Sequence, residues 1–166
     1  CWWKHRRLRL GSRWAAQPAM ENWTLAVNVS ASQFAHADFV ANVFRALERS
    51  GARADRLKLE LTETMLAVDI EDIIFKMFAI KSRGVSFSLD DFGTGYSSLS
   101  YLKRLPLSQL KIDQSFVRDI LADTNDAAIA RTILALGHPL GLEVIAEGVE
   151  TAEQHEFLAG MGCDAF

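Results

Sequence analysis

The sequence predicts an α/β domain whose core is a parallel sheet of about five βα units. Segments with the pattern of buried strands alternate five times with segments of helical periodicity, which is typical of parallel sheets with right-handed crossovers. Successive strand ends lie 32, 30, 21 and 36 residues apart, counted between Asn28, Glu60, Asp90, Lys111 and Glu147. Five strands are too few for a closed eight-stranded barrel. The sequence therefore predicts either an open sheet or a piece of a barrel.

The individual elements follow from local patterns. Strands are predicted over residues 25–30, 57–62, 86–91, 109–113 and 143–147, and helices over 38–50, 70–83, 99–105, 126–136 and 151–159. Gly51 and Gly84 end the first two helices, because glycine readily adopts the conformation of a helix C-cap. Thr151 and Gln154 have the spacing of a capping box at the start of the last helix. Residues 160–166 lead towards another strand.

Length and composition are those of an ordinary globular protein. The chain has 166 residues, of which 49% are hydrophobic and 23% are charged, enough for one domain with a hydrophobic core. The net charge of −3 gives no electrostatic support for nucleic-acid binding. No apolar run reaches transmembrane length, and no signal peptide is recognisable. Cys1 and Cys163 form no disulfide framework and no Cys-x-x-Cys motif, so we expect a cytoplasmic location.

Residues 1–20 form an atypical basic segment, and we place the domain at residues 21–166. The first 13 residues include five lysines or arginines, and no acidic residue precedes Glu21. Three interpretations are open: a basic arm for a membrane or nucleic acid, the solvated remnant of a helix, or sequence that is not native. The presence of Cys1 where a methionine would begin a native chain favours the second and third interpretations together.

The stretch of residues 86–98 organises the rest of the chain. Its strand ends in two adjacent acids, Asp90 and Asp91, and a loop with Gly93 and Gly95 follows. Adjacent residues on a strand point to opposite faces, so both acids can serve one site only if the strand ends there and the chain turns. Two such acids alone would also fit an Asx turn. We expect the loop at 93–95 to be mobile and to pass close to the site.

Polar side chains lie at or just after the ends of the other predicted strands as well, namely Asn28, Glu60, Glu63, Lys111 and Glu147. The carboxyl ends of parallel strands open on one side of a sheet, and carboxylates crowded there resist ionising together unless a cation is present. Oxygen ligands without histidine or cysteine suit Mg²⁺, Mn²⁺ or Ca²⁺ rather than zinc. Lys111 offers a positive charge to a phosphate oxygen. Each residue taken singly also fits a structural role, but the repetition favours a metal-assisted phosphoester site, with two cations about 3.5–4 Å apart.

The same motifs resemble the EAL domain family. The similar runs are Asn-Val-Ser-Ala-Ser-Gln-Phe at 28–34, Glu-Leu-Thr-Glu at 60–63, Asp-Asp-Phe-Gly-Thr-Gly-Tyr-Ser-Ser-Leu at 90–99, Lys-Ile-Asp at 111–113 and Ala-Glu-Gly-Val-Glu at 146–150. The family consists of bacterial cyclic-di-GMP phosphodiesterases built on a modified TIM barrel. The resemblance therefore implies a partial TIM-type (β/α) barrel and the hydrolysis of one phosphodiester bond of cyclic-di-GMP to give linear pGpG.

The resemblance also implies a set of metal ligands for two Mg²⁺ or Mn²⁺ ions. Asn28, Glu60 and Asp90 would bind the first ion, and Asp91 would help to hold the second. Glu147 would bind the second ion or act as the general base for the attacking water.

Further catalytic roles and partners are implied in the same way. Lys111 would steady the water or the scissile phosphate, and Glu63 would anchor the loop that follows the two aspartates. Members of the family often form homodimers and often carry a diguanylate cyclase or sensor domain upstream, so these are the protein partners that the resemblance implies, with cyclic-di-GMP as the ligand.

The sequence departs from the family pattern in two places. No Glu-Ala-Leu tripeptide occurs in it, and the strand that carries this tripeptide and its metal-binding glutamate would lie upstream of Cys1. The Gln-Gly-Tyr-like run expected after Phe166 is absent too. We therefore expect a barrel fragment without its N-terminal Glu-Ala-Leu strand and its last strands, and little or no hydrolysis. Two alternatives are a degenerate EAL module that binds cyclic-di-GMP as a sensor, and a non-functional gene fragment.

Overall fold

The computed structural model describes residues 23–67, 69–95 and 99–166. Five parallel strands form one sheet in the order β1-β2-β3-β4-β5. The strands are β1 (Leu25–Val29), β2 (Leu57–Thr62), β3 (Ser86–Phe92), β4 (Gln109–Ile112) and β5 (Glu143–Ala146). The α-helices are α1 (Ala31–Phe34), α2 (Phe39–Ser50), α3 (Ile70–Lys81), α4 (Leu99–Leu102), α5 (Gln114–Arg118), α6 (Thr124–Gly137) and α7 (Ala152–Gly160). The predicted α/β class with five parallel strands is confirmed.

Two one-turn helices, α1 and α5, are additions to the predicted elements. Each of them begins within two residues of the end of a strand. The N–H of Ser30 donates to Gln33 Oε1 at 3.4 Å at the start of α1, and the N–H of Ser115 donates to Asp113 Oδ1 at 2.8 Å at the start of α5. A single turn is too short to show apolar periodicity, so only these polar caps mark the two helices in the sequence.

The chain divides into two compact units. In the first, which contains residues 23–61 and 69–87 of the described chain, the core includes Val27 and Leu59 from the strands and Phe34 and Ile80 from the helices. α2 buries one face and ends at Gly51, which has a φ of 65°. Strands β1 and β2 pair in parallel along their length. Val27 and Val29 of β1 are buried, and Asn28 between them is exposed.

The second unit contains residues 62–67, 88–95 and 99–166 of the described chain. Leu110, Val144 and Leu158 are fully buried in it. The prediction of a strand after α7 agrees with a parallel bridge between Ala165 and Ile145 beside β5. Among the described helices, none combines the length and apolar character that crossing a membrane requires. The basic segment at 1–20 lies outside the described residues.

Candidate functional site

Asp90 and Asp91 lie within β3, which continues through both residues to Phe92. The pairing of β3 with β4 advances three residues on β3, from Leu89 to Phe92, against two on β4, so β3 carries one extra residue as a β-bulge. Asp91 has a φ of 54°, in the left-handed region that non-glycine residues seldom adopt. The strand ends one residue later than predicted, at Phe92, and the change of backbone direction expected at the two acids is a bulge with Asp91 in the left-handed conformation. The bulge lets adjacent side chains reach one site within a continuing strand.

Three carboxylates come together at this position. One oxygen from each of Asp90, Asp91 and Glu147 lies within 4.8 Å of the others, and we call this group the acidic cluster. Asp90 is only 9% exposed. Glu147 directly follows β5, and its N–H donates to the carbonyl of Ile112 on β4 at 3.2 Å. Neighbouring strands β3, β4 and β5 therefore set the positions of all three acids.

Lys111 of β4 contacts two members of the acidic cluster. Its Nζ lies 3.2 Å from Asp90 Oδ1 and forms an ion pair with Glu147 Oε1. The lysine side chain is 12% exposed, so solvent screens these pairs less than pairs at the surface. An ammonium group held by two carboxylates shows that the cluster accepts positive charge. The oxygen donors of the acidic cluster fit a hard divalent cation such as Mg²⁺ or Mn²⁺.

The protonation of Asp91 depends on its burial and on Asp113, a carboxylate that the sequence analysis did not include in the site. Burial, a hydrogen bond with Asp113 and the charges of Asp90, Asp113 and Glu147 raise the pKa of Asp91 to about 6. Burial opposes ionisation of Asp113 too, but hydrogen bonds from the hydroxyl and N–H of Ser115 and from Asp91 outweigh it and keep the pKa of Asp113 below its usual value. The Lys-Ile-Asp run is the signal in the sequence that points to Asp113.

Glu63 holds the start of the loop that follows β3. It is 4% exposed and begins a short 3₁₀ helix, Glu63–Ala67. Its Oε2 accepts hydrogen bonds from the N–H groups of Gly93 and Gly95, each at 3.0 Å. A Cβ on Gly95 would lie 3.1 Å from the carboxyl carbon of Glu63, so the close approach favours glycine. The described part of the loop is thus tied to a buried carboxylate, and residues 96–98 lie outside the described chain.

Asn28 and Glu60 belong to the first compact unit, and the acidic cluster, Lys111 and Glu63 belong to the second. The register of β1 and β2 makes Asn28 and Glu60 direct partners on neighbouring strands. Glu60 is 8% exposed, whereas Asn28 is exposed. That Asn28 and Glu60 are metal ligands therefore remains a prediction.

Sequence comparison connects these features to known proteins. The EAL domain family matches residues 5–166. The bifunctional diguanylate cyclase/cyclic di-GMP phosphodiesterase MucR of Pseudomonas aeruginosa is 49% identical over 144 residues, which cover 87% of this chain and 21% of that protein. The chain thus spans about a fifth of the length of this curated relative. Because the family match begins at residue 5, it includes part of the basic segment, and the boundary at residue 20 stays a prediction.

Solved structures with the same architecture carry ligands related to the predicted chemistry. The c-di-GMP complex of the PaMucR phosphodiesterase superposes with a TM-score of 0.92 at 45% identity, over 98% of this chain and 66% of that one. A manganese/cyclic-di-GMP complex of Klebsiella pneumoniae BlrP1 gives a TM-score of 0.82 at 31% identity, over 97% of this chain and 41% of that one. On its fold, its motifs and these matches, the chain belongs to the EAL domain family.

Proposed function

We propose that this chain is part of a domain that hydrolyses cyclic-di-GMP to linear pGpG with the help of divalent cations. The observation that carries the proposal is the acidic cluster with Lys111 bound to two of its members. The complexes of MucR and BlrP1 support it, because proteins similar to this chain bind cyclic-di-GMP, and in BlrP1 manganese as well.

Each residue of the site has a part in the proposed reaction. Asp90, Asp91 and Glu147 would hold Mg²⁺ or Mn²⁺, and the cations supply Lewis-acid activation of water and neutralise charge on the phosphate. Glu147, whose side chain is 35% exposed, can accept a proton from the water that attacks phosphorus. The Lys111 ammonium stabilises the negative charge that develops on the phosphate oxygens. The carboxylate of Glu63 keeps the loop after β3 in place.

For this chain of 166 residues, we expect ligand binding with little or no turnover. The sequence has no Glu-Ala-Leu tripeptide, and the family resemblance assigns a metal-binding glutamate to it. A chain that also carries this glutamate should form pGpG.

Calorimetric titration with Mn²⁺, followed by a chromatographic assay for pGpG, tests the proposal. Glu147→Gln removes one carboxylate from the acidic cluster and should weaken Mn²⁺ binding about tenfold or more. Glu156→Gln makes the same change of charge at an exposed position of α7 and should bind Mn²⁺ like the wild type. Equal Mn²⁺ affinity for Glu147→Gln and the wild type would contradict the proposed site.

A calorimetric titration with cyclic-di-GMP separates the two functional alternatives, a phosphodiesterase and a sensor module. If cyclic-di-GMP binds tightly in the presence of a chelator and no pGpG appears, the chain acts as a sensor module. If binding requires the cation, the phosphodiesterase proposal is supported. Rapid formation of pGpG by this chain would refute our expectation of weak turnover.

A further inference from the structure

Gln154 uses its whole side-chain amide to join two segments of the second unit. The residue is 7% exposed and lies in the first turn of α7. Its Oε1 accepts the N–H groups of Glu150 and Thr151 at 2.9 and 3.1 Å. Its Nε2 donates to the carbonyl oxygens of Val117 and Arg118, both at 3.2 Å. Both donor hydrogens and the oxygen therefore have backbone partners.

These partners connect the segments that carry the site. Glu150 and Thr151 end the short loop that begins at Glu147, and Val117 and Arg118 form the last turn of α5. We call these four hydrogen bonds of Gln154 the bridge. Because α5 begins two residues after β4 ends, the bridge joins the loop after β5 to the helix after β4.

The start of the same loop also rests on α5. Gly148 has a φ of 71°, and a Cβ at this position would lie 2.9 Å from the Cβ of Gln114, the first residue of α5. The loop is thus held on α5 near its beginning by close packing and at its end by Gln154. Residues 147–150 therefore contact α5 near both ends of the loop.

A capping role alone does not explain this residue. The capping box at Thr151 needs only an acceptor oxygen at position 154, and glutamate provides it as well as glutamine does. The two hydrogen bonds to the α5 carbonyls need an amide nitrogen, because a carboxylate would face two carbonyl oxygens without a donor. Glutamine is the residue that satisfies both requirements.

We propose that Gln154 is a positioning residue for Glu147, which it holds in the acidic cluster by fixing the loop 147–150 on α5. The inference rests on the proposed function only where it concerns cation binding. It predicts that the donors of Gln154, rather than its capping oxygen, determine the order of this loop.

Two variants separate bridging from capping. Gln154→Glu keeps an acceptor for the capping box and removes the donors to α5. Thr151→Ala removes the side-chain oxygen that accepts the N–H of Gln154 at 3.2 Å and keeps the bridge. Hydrogen exchange of the amides at 147–151, measured by mass spectrometry on the cation-free chain, should accelerate about tenfold or more in Gln154→Glu and change less than about threefold in Thr151→Ala. If the glutamate variant does not fold, Gln154→Met replaces it. Because methionine removes the capping oxygen together with the donors, its exchange rates are compared with those of Thr151→Ala, which loses a capping bond and keeps the hydrogen bonds to α5.

Calorimetry with Mn²⁺ provides the readout that a purely structural role would not move. Gln154→Glu should bind Mn²⁺ about 10–100-fold more weakly, and Thr151→Ala should bind it like the wild type even though it loses folding stability. If the wild type binds Mn²⁺ and the Gln154 variants bind it equally well, with unchanged exchange, the inference is overturned while the proposed function stands. If the wild type binds no Mn²⁺, the proposed function fails, and the exchange rates alone decide whether Gln154 fixes the loop.

Discussion

Replacing Lys111 with methionine tests whether its ammonium group balances the charge of the acidic cluster. Removing one partner of a buried ion pair costs about 3–5 kcal/mol, because the other charge stays buried without compensation. Lys111 and Asp90 have side chains that are 12% and 13% exposed, but that of Glu147 is 35% exposed. Since solvent screens the Glu147 pair in part, we expect Lys111→Met to lower the free energy of unfolding by about 2–3 kcal/mol.

Urea unfolding in the presence of a chelator measures this loss, and a second series with Mn²⁺ measures the rescue. A cation bound only by the folded chain raises its stability, and it should add more to Lys111→Met than to the wild type because it replaces the lost positive charge. Lys103→Met removes an exposed lysine and should change stability by less than about 0.5 kcal/mol. Equal stability of the two variants, or the same increment from Mn²⁺ in Lys111→Met and the wild type, would show that the Lys111 ammonium does not balance the charge of the acidic cluster.

Three further substitutions test packing and charge elsewhere. A Cβ on Gly137 would lie 2.5 Å from Val144 Cγ2, so Gly137→Ala should lower the free energy of unfolding by about 1–3 kcal/mol. The control is Gly160→Ala, whose Cβ would meet nothing within 4 Å. It should change the free energy of unfolding by less than about 1 kcal/mol. Lys76 is 6% exposed, and its ammonium donates to two backbone carbonyls at 3.1 and 3.3 Å, so Lys76→Met should cost about 1.5–3 kcal/mol in urea unfolding. The hydrogen bond from the N–H of Val144 lowers the pKa of Asp164 below 3.8. The stabilisation from ionised Asp164 is therefore complete above the pKa of this residue in the unfolded chain and is lost as the pH falls through its pKa in the folded chain. Asp164→Asn should flatten the dependence of the free energy of unfolding on pH only below about pH 4.

The same measurements can contradict each of these expectations. Equal stability of the two glycine variants would mean that α6 can move away from β5 without cost. A loss below about 0.5 kcal/mol for Lys76→Met would show that water satisfies the two carbonyls as well as the ammonium does. If the free energy of unfolding of the wild type depends on pH in acid no more than that of Asp164→Asn, this carboxylate does not stabilise the fold as proposed.

The parallel sheet could be predicted because strands and long helices repeat apolar residues at a spacing that is visible in the sequence. The strands and the longer helices are present within a few residues of the predicted bounds. The one-turn helices α1 and α5 were not predicted, although Ser30 and Gln33 have the same spacing as Thr151 and Gln154. Local caps without an apolar repeat carry too little signal to predict a helix by themselves.

The three acids of the cluster could be selected from the sequence, whereas their geometry and the part of Asp113 could not. Polar groups after strands pointed to Asp90, Asp91 and Glu147. The bulge at Asp91 depends on the register between β3 and β4, which pairs positions about 20 residues apart. The bridge from Gln154 joins residues separated by 36 and 37 positions. Tertiary contacts of this kind leave no pattern in the local sequence.

The proposed function requires that Asp90, Asp91 and Glu147 all act as ligands of divalent cations. An anomalous difference map from a crystal of the chain grown with Mn²⁺ tests it most directly. We predict a peak about 2.0–2.6 Å from a carboxylate oxygen of each of the three residues. A map in which Mn²⁺ occupies other sites and leaves these three carboxylates without a peak would contradict the account.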